Sequence, residues 1–247
     1  MNQVFQSTDP ASRGRLARVA VLALAAVVAL LSLALVGLGN GAGADQTRAI
    51  KTVVLGQSAT MPDPACPDNC QVVASVNGFQ TRTATSTTPF EVPFDGKVTQ
   101  FRLYLGEPTG RDRTALNDRF GSPPQAAITI LKKVTTPQGN EKFQLLRKSP
   151  VEGLSKELGT VATFKLNKPL TARAGNYVAL AVPTWAPIFA LGQSAAQNKW
   201  RASRQPGMCT AASIDQSSPQ LKVDTKRFYG CTFSGSRLLY TATLTNG

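Results

Sequence analysis

Beyond residue 50 the chain alternates short stretches rich in Val, Ile, Phe, Tyr and Thr with Pro, Gly, Asn and Asp, the pattern of a β-sandwich or barrel. The pattern predicts strands over Ile50–Leu55, Gln71–Val76, Phe90–Phe94, Val98–Leu105, Ala126–Val134 and Phe143–Arg147. Further strands are predicted over Val161–Leu166, Tyr177–Val182, Phe228–Phe233 and Leu238–Leu244. In Val98–Leu105 the residues Phe101, Leu103 and Leu105 share one face and Arg102 and Tyr104 the other, so one face meets a core and one meets water. No amphipathic helix longer than about two turns is expected after residue 45, the best candidate being Val151–Leu158.

A different pattern comes first. Val19–Leu38 runs for twenty residues with Ser32 as its one polar side chain, enough as a helix to cross a bilayer core of about 30 Å. Arg13, Arg15 and Arg18 precede it, which keeps the N-terminus cytoplasmic and everything after the run outside. Residues 1–44 thus read as a cytoplasmic stub, a membrane helix over about residues 16–38 and the start of a glycine-rich linker; residues 45–247 read as one extracytoplasmic β-sandwich domain. Ala42-Gly43-Ala44 before Asp45 has the small residues of a signal-peptidase site. The domain is then either anchored to the cytoplasmic membrane by residues 19–38 or secreted after cleavage near Ala44.

Four cysteines suit that oxidising compartment. Of the three connectivities, the local one, Cys66 with Cys70 and Cys209 with Cys231, asks least of neighbouring strands. The C-x-x-x-C spacing of the first pair is not that of a redox motif.

Charge and missing chemistry narrow the function. The chain carries 27 Lys and Arg against 14 Asp and Glu, a net of +13, and leaving out residues 1–44 removes only three basic and one acidic side chain. The basic excess belongs to the folded domain, where it raises the local concentration of anions or simply keeps the domain soluble. Histidine is absent, which removes imidazole bases, Ser-His and Cys-His nucleophile pairs and His-ligated metals. No metal or other cofactor is expected, and no nucleic acid, since only Phe101–Tyr104 and Phe228–Tyr229 approach the interleaving of basic and aromatic side chains it needs and the domain is placed outside the cytoplasm.

FEVPFDGKVTQFRLYLG, AAITILKKV, KFQLLRKSP and TFKLNKPLTARAGNYVALAVP, with turns at Asp95-Gly96, Pro137-Gln138-Gly139-Asn140 and Ala174-Gly175-Asn176, carry a resemblance across about residues 50–245. In them the chain resembles jelly-roll, carbohydrate-binding-module-like β-sandwich domains of uncharacterised exported bacterial proteins. The resemblance rests on pattern and implies a binding fold without a catalytic residue.

Two regions are candidate ligand sites. The polar stretch Glu107–Pro124 reads as a long loop whose Arg111, Arg113 and Arg119 suit a carboxylate, sulfate or phosphate and repel a cation from Asp112, Asn117 and Asp118. The second holds both tryptophans. Trp185, between Pro183 and Pro187, and Trp200, followed by Arg201 and Arg204, offer flat apolar faces to a sugar ring with cations beside them, or else anchor the core. Lys132-Lys133, Arg147-Lys148 and Lys226-Arg227 read as charges that blunt strand edges. For catalysis the nearest carboxylate pair is Glu91 with Asp95, and a turn and a solvated strand face account for both.

The sequence therefore points to a non-catalytic extracytoplasmic domain that binds an anionic envelope polymer or saccharide. The alternatives are a cell-surface structural or protein-interaction domain and, less favoured, a carboxylate-dependent glycan hydrolase.

Overall fold

The computed structural model describes residues 49–135 and 141–247, all within the compact unit Arg48–Gly247. The apolar segment 19–38, the linker and the Pro137–Asn140 turn lie outside the described residues. Among those residues no helix is long and apolar enough to cross a membrane.

In chain order the elements are β1 Thr52–Leu55, β2 Val73–Arg82, β3 Gly96–Tyr104, α1 Gly110–Phe120, β4 Gln125–Thr135, β5 Glu141–Lys148 and β6 Glu152–Gly153. There follow β7 Val161–Ala172, β8 Tyr177–Ala186, β9 Phe189–Ala190, β10 Lys199–Ala202, a 3-10 turn Ala211–Gln216, β11 Lys226–Phe228, β12 Cys231–Ser234, β13 Arg237–Leu238 and β14 Tyr240–Thr245. The smaller sheet runs β1-β14-β3-β7 and the larger β11-β5-β4-β8-β2-β10-β12, with β6 beside β4 and β13 beside β9. Every pairing is antiparallel.

The sheets face each other across the core predicted by alternation. Val98, Phe101 and Leu103 of β3 and Ala242 and Leu244 of β14 belong to one buried cluster with Ile128 and Ile130 of β4 and Val178, Leu180 and Val182 of β8. Burying each large side chain contributes roughly 1.5–3 kcal/mol. Tyr240 ties the sheets together: its ring stacks on Phe90 at 4.0 Å and its hydroxyl donates to the Val178 carbonyl at 3.0 Å. Burial pushes that hydroxyl well above the ordinary tyrosine range, so it remains a donor.

Three expectations are corrected. Phe90–Phe94 is not a strand, because Pro89 and Pro93 interrupt it; it makes one isolated bridge, Glu91 to Tyr177, while burying Phe90 and Val92. Val151–Leu158 forms the short strand β6 and a turn rather than a helix. The stretch read as a loop from 107 to 124 contains the eleven-residue helix α1. Thr109 caps it, accepting from the Asp112 amide at 3.2 Å and donating to the Asp112 carboxylate at 2.7 Å, and Gly121 ends it at φ 92°. The apolar side chains that pack inward from it are Leu116 and Phe120, four residues apart, too few to register as an apolar stripe in the sequence.

The larger sheet is also dry on its outer side. Ala179 and Ala181 alternate with the core-facing Val178, Leu180 and Val182, yet both are fully buried, as are their cross-strand neighbours Thr129, Ala127 and Asn77. What covers them is the segment between β10 and β12, pinned through polar groups. The Asn77 carboxamide accepts from the Gln220 amide at 2.7 Å and donates to the Gln220 carbonyl at 3.0 Å. The Gln220 side chain donates to the Phe143 and Thr225 carbonyls and accepts from the Tyr229 hydroxyl at 3.1 Å. Ser203 completes the set, its hydroxyl accepting from the Asn77 amide at 2.9 Å and its amide donating to the Asn77 carbonyl at 2.8 Å.

Truncating Asn77 leaves a buried amide and carbonyl of Gln220 without partners. Asn77→Ala is expected to destabilise the fold by about 2–4 kcal/mol. Asn246→Ala, which breaks only exposed bonds, should cost less than about 1 kcal/mol. Urea midpoints of the two variants check the difference.

Candidate anion-binding site

The pinned segment does more than cover the sheet. Between it and the sheet edge at β11 opens a cavity of about 450 Å³, lined by Lys142 of β5, Lys226, Arg227 and Phe228 of β11, and Ser203, Arg204, Gln205, Met208 and residues of the 3-10 region. Four cations line it, and among the described residues no carboxylate does. Among the described residues no acidic group forms an ion pair with Lys142, Arg204, Lys226 or Arg227. Arg227 is held by the Ser218 carbonyl at 2.7 Å and hydroxyl at 2.9 Å, and the Lys142 ammonium lies 4.4 Å over the Phe228 ring. Register extends the charge across the sheet, since Lys226 sits opposite Gln144, which sits opposite Lys132.

Arg204 is the most constrained of the four. Its backbone is tied on both sides, the amide donating to Ala202 at 2.7 Å and the carbonyl accepting from Gly230 at 2.8 Å. The residue is 9 % exposed, and among the described residues its side chain gives one hydrogen bond, from Nη1 to the Thr210 carbonyl at 3.3 Å, and leaves Nε unpartnered. Burial pulls its pKa below the usual arginine value, the mark of a charge short of compensation. The disulfide between Cys209 and Cys231 staples the segment carrying Arg204 and Thr210 to β12; the other disulfide joins Cys66 and Cys70, so both pairings are local.

Of the residues singled out in the sequence, Trp200 and Arg204 line one small cavity and the others are scattered. Trp185 is fully buried among Ala74, Leu158, Leu116 and Phe120, and its indole N–H donates to Asn117 of α1 at 3.1 Å, so it presents no face to a sugar. Trp200 is 5 % exposed, stacked on Phe233 at 4.6 Å and tilted against Phe189 at 5.3 Å. Alternation puts Trp200 on the core face of β10, and it puts Trp185 on the outer side of β8 with Ala179 and Ala181, where Leu116 and Phe120 of α1 cover it.

Arg201 turns the opposite way from Trp200, toward Glu141, which also pairs with Lys133. These two cations hold the Glu141 carboxyl below its usual value, Lys133 contributing most. On α1, Arg113 pairs with Glu107, Arg119 with Asp215 at 3.2 Å, and Arg111 is exposed. Of the predicted binding residues, only Arg204 lies in the basic cavity. Lys142, Lys226 and Arg227 were missed as ligand groups because lysines and arginines near a strand edge read as solvated charge.

Glu91 accepts from the Tyr177 hydroxyl at 3.3 Å, and Asp95 accepts from the Ala174 amide at 2.8 Å in the turn before β8. Both carboxylates have structural partners. Among the described residues no group of three or more His, Cys, Asp or Glu side chains comes together to hold a metal.

No family model matches the chain, and neither a curated protein nor a solved structure does.

Two outcomes test this local structure. Closing the longer loop, the Cys209–Cys231 bridge should contribute about 3 kcal/mol, and Cys66–Cys70 clearly less, as read from the unfolding of the paired Cys→Ala variants. Glu141, with its folded pKa depressed, stabilises the protein above the unfolded value and loses that contribution as pH falls through the folded one. Urea midpoints of wild type and Glu141→Gln should therefore differ by a constant amount well above the ordinary carboxyl value of 4.5 and converge as pH falls through the lower folded value.

Proposed function

We propose that this domain is a non-catalytic binding module of the cell envelope that takes a polyanionic polymer, one bearing phosphate, sulfate or carboxylate groups, in the basic cavity between β11 and the segment 203–218. The observation that carries the reading is the convergence of Lys142, Arg204, Lys226 and Arg227 on one cavity without a lining carboxylate. Guanidinium groups bind such oxyanions through paired N–H donors, and ammonium groups add point charge. The row from Lys226 toward Lys132 gives a polymer further contacts beyond the cavity mouth.

The strand order supports a jelly-roll reading of the sandwich. With its eight principal strands taken in chain order, first pairs with last, β1 with β14; then β2 with β8, β3 with β7 and β4 with β5, a nested wrapping of one long antiparallel ribbon. Lectin domains use that architecture, which suits a binding role as an analogy of fold alone. Two disulfides in the folded domain support an oxidising compartment outside the cytoplasm. The reading as a protein-interaction domain that docks through a sheet edge has less support, because the long edge strand β7 carries Lys165, Lys168 and Pro169, which oppose strand addition.

Binding of inorganic polyphosphate to the full chain, with its disulfides formed, is the test. Affinity should fall at least about tenfold between roughly 50 and 500 mM salt, as expected for largely screened surface charge. The pair Lys142→Glu and Lys226→Glu should weaken it about tenfold or more, whereas Arg111→Glu on α1 should change it less than about threefold. Salt-insensitive binding, or equal losses from both surfaces, would contradict the assignment of the site.

A further inference from the structure

Arg204 lines a second cavity besides the basic one. This cavity, of about 220 Å³, is walled by Val72, Ile214, Phe189, Trp200 and Phe233, with the Cys209 side of the disulfide at one end. Its aromatic wall is a ladder, Phe189 against Trp200 against Phe233, and the Arg204 guanidinium lies 6.0 Å over the Phe233 ring. Thr210 and Gln71, both exposed, stand at its rim, and among the described residues no acidic side chain lines it.

An apolar cavity with one buried, incompletely bonded cation in its wall has a definite chemical complement. Water gains little there, because most of the lining offers no hydrogen bond, while the guanidinium retains an unpartnered Nε. A neutral hydrocarbon would fill the apolar part and leave the arginine short of a partner. A bare inorganic anion would pair with the arginine and leave the apolar wall wet.

We infer that this cavity binds the hydrocarbon chain of a small amphiphilic anion, an alkyl phosphate or alkyl carboxylate, whose charged head pairs with Arg204. Seven or so methylenes fit, each taking roughly the 30 Å³ of a water molecule. The mouth beside Thr210 admits the chain, and the head lies where Arg204 separates the apolar cavity from the basic one. This ligand is distinct from the polymer proposed for the basic cavity, and either can fail without the other.

The test compares four probes on the full, oxidised chain by titration calorimetry below their micellar concentrations: octyl phosphate, octanoate, inorganic phosphate and octyl glucoside. Octyl phosphate should bind at least tenfold more tightly than inorganic phosphate and than octyl glucoside. Octanoate should share that advantage over octyl glucoside if carboxylate heads serve equally; an advantage confined to octyl phosphate assigns the site to phosphate esters. Ile214→Trp, which fills the cavity, should remove the tenfold gain of the octyl chain and leave polyphosphate binding within threefold. Conversely, Lys142→Glu with Lys226→Glu should weaken polyphosphate while leaving octyl phosphate within threefold. The comparison within the unaltered chain needs no variant to fold: octyl phosphate binding no more tightly than inorganic phosphate, or no more tightly than octyl glucoside, would overturn the inference.

Discussion

A side-chain amide buried in the middle of a sheet must find its hydrogen bonds inside the protein. Asn77 stands at such a position on the outer side of the larger sheet, fully buried, with Thr129 beside it. It is satisfied by the backbone amide and carbonyl of Gln220, brought there from 143 residues away. That pairing fixes where the segment after β10 crosses the sheet, and the Gln220 side chain fixes the return of the chain toward β11 through Phe143, Thr225 and Tyr229. The basic cavity lies between the crossing and the returning strand. Its shape is therefore a consequence of one buried polar network as much as of the residues that line it.

The same arrangement accounts for the placement of charge. Within the network each donor meets an acceptor and no net charge is buried, whereas a short distance away Arg204 is nearly buried with, among the described residues, a single hydrogen bond and no ion pair. Three arginines elsewhere on the domain stand in ion pairs: Arg113 with Glu107, Arg119 with Asp215 and Arg201 with Glu141. Beside β11, four cations that have no ion pair among the described residues converge on one cavity.

Alternation made the sandwich legible in the sequence, because strands such as β3 and β4 have one face in the core, and β-branched and aromatic residues mark it. It failed where both faces of a strand are buried. β2 extends to Arg82, past the predicted end at Val76, since Asn77, Gln80 and Thr81 read as a turn or loop until their buried partners are known. β10 was invisible for another reason: it alternates Lys199 and Arg201 with the buried Trp200 and Ala202, but over four residues only. The helix α1 escaped notice because none of its residues is buried and its stability rests on its cap and on Leu116 and Phe120 against the Trp185 cluster. As for the candidate site, the basic excess and Arg204 could be read, but the tryptophans could not be told from core residues, and Lys142, Lys226 and Arg227 gained a common cavity only through pairings distant in sequence. The disulfides were legible from spacing because each closes a local loop.

Hydrogen exchange of the full chain with and without inorganic polyphosphate tests most directly whether the segment held by Asn77 forms the binding site. Slowed exchange at residues 204–218 and 226–228, with α1 unchanged, is the result this account predicts. Protection centred on α1, or none at the basic cavity under saturating polymer, would contradict it.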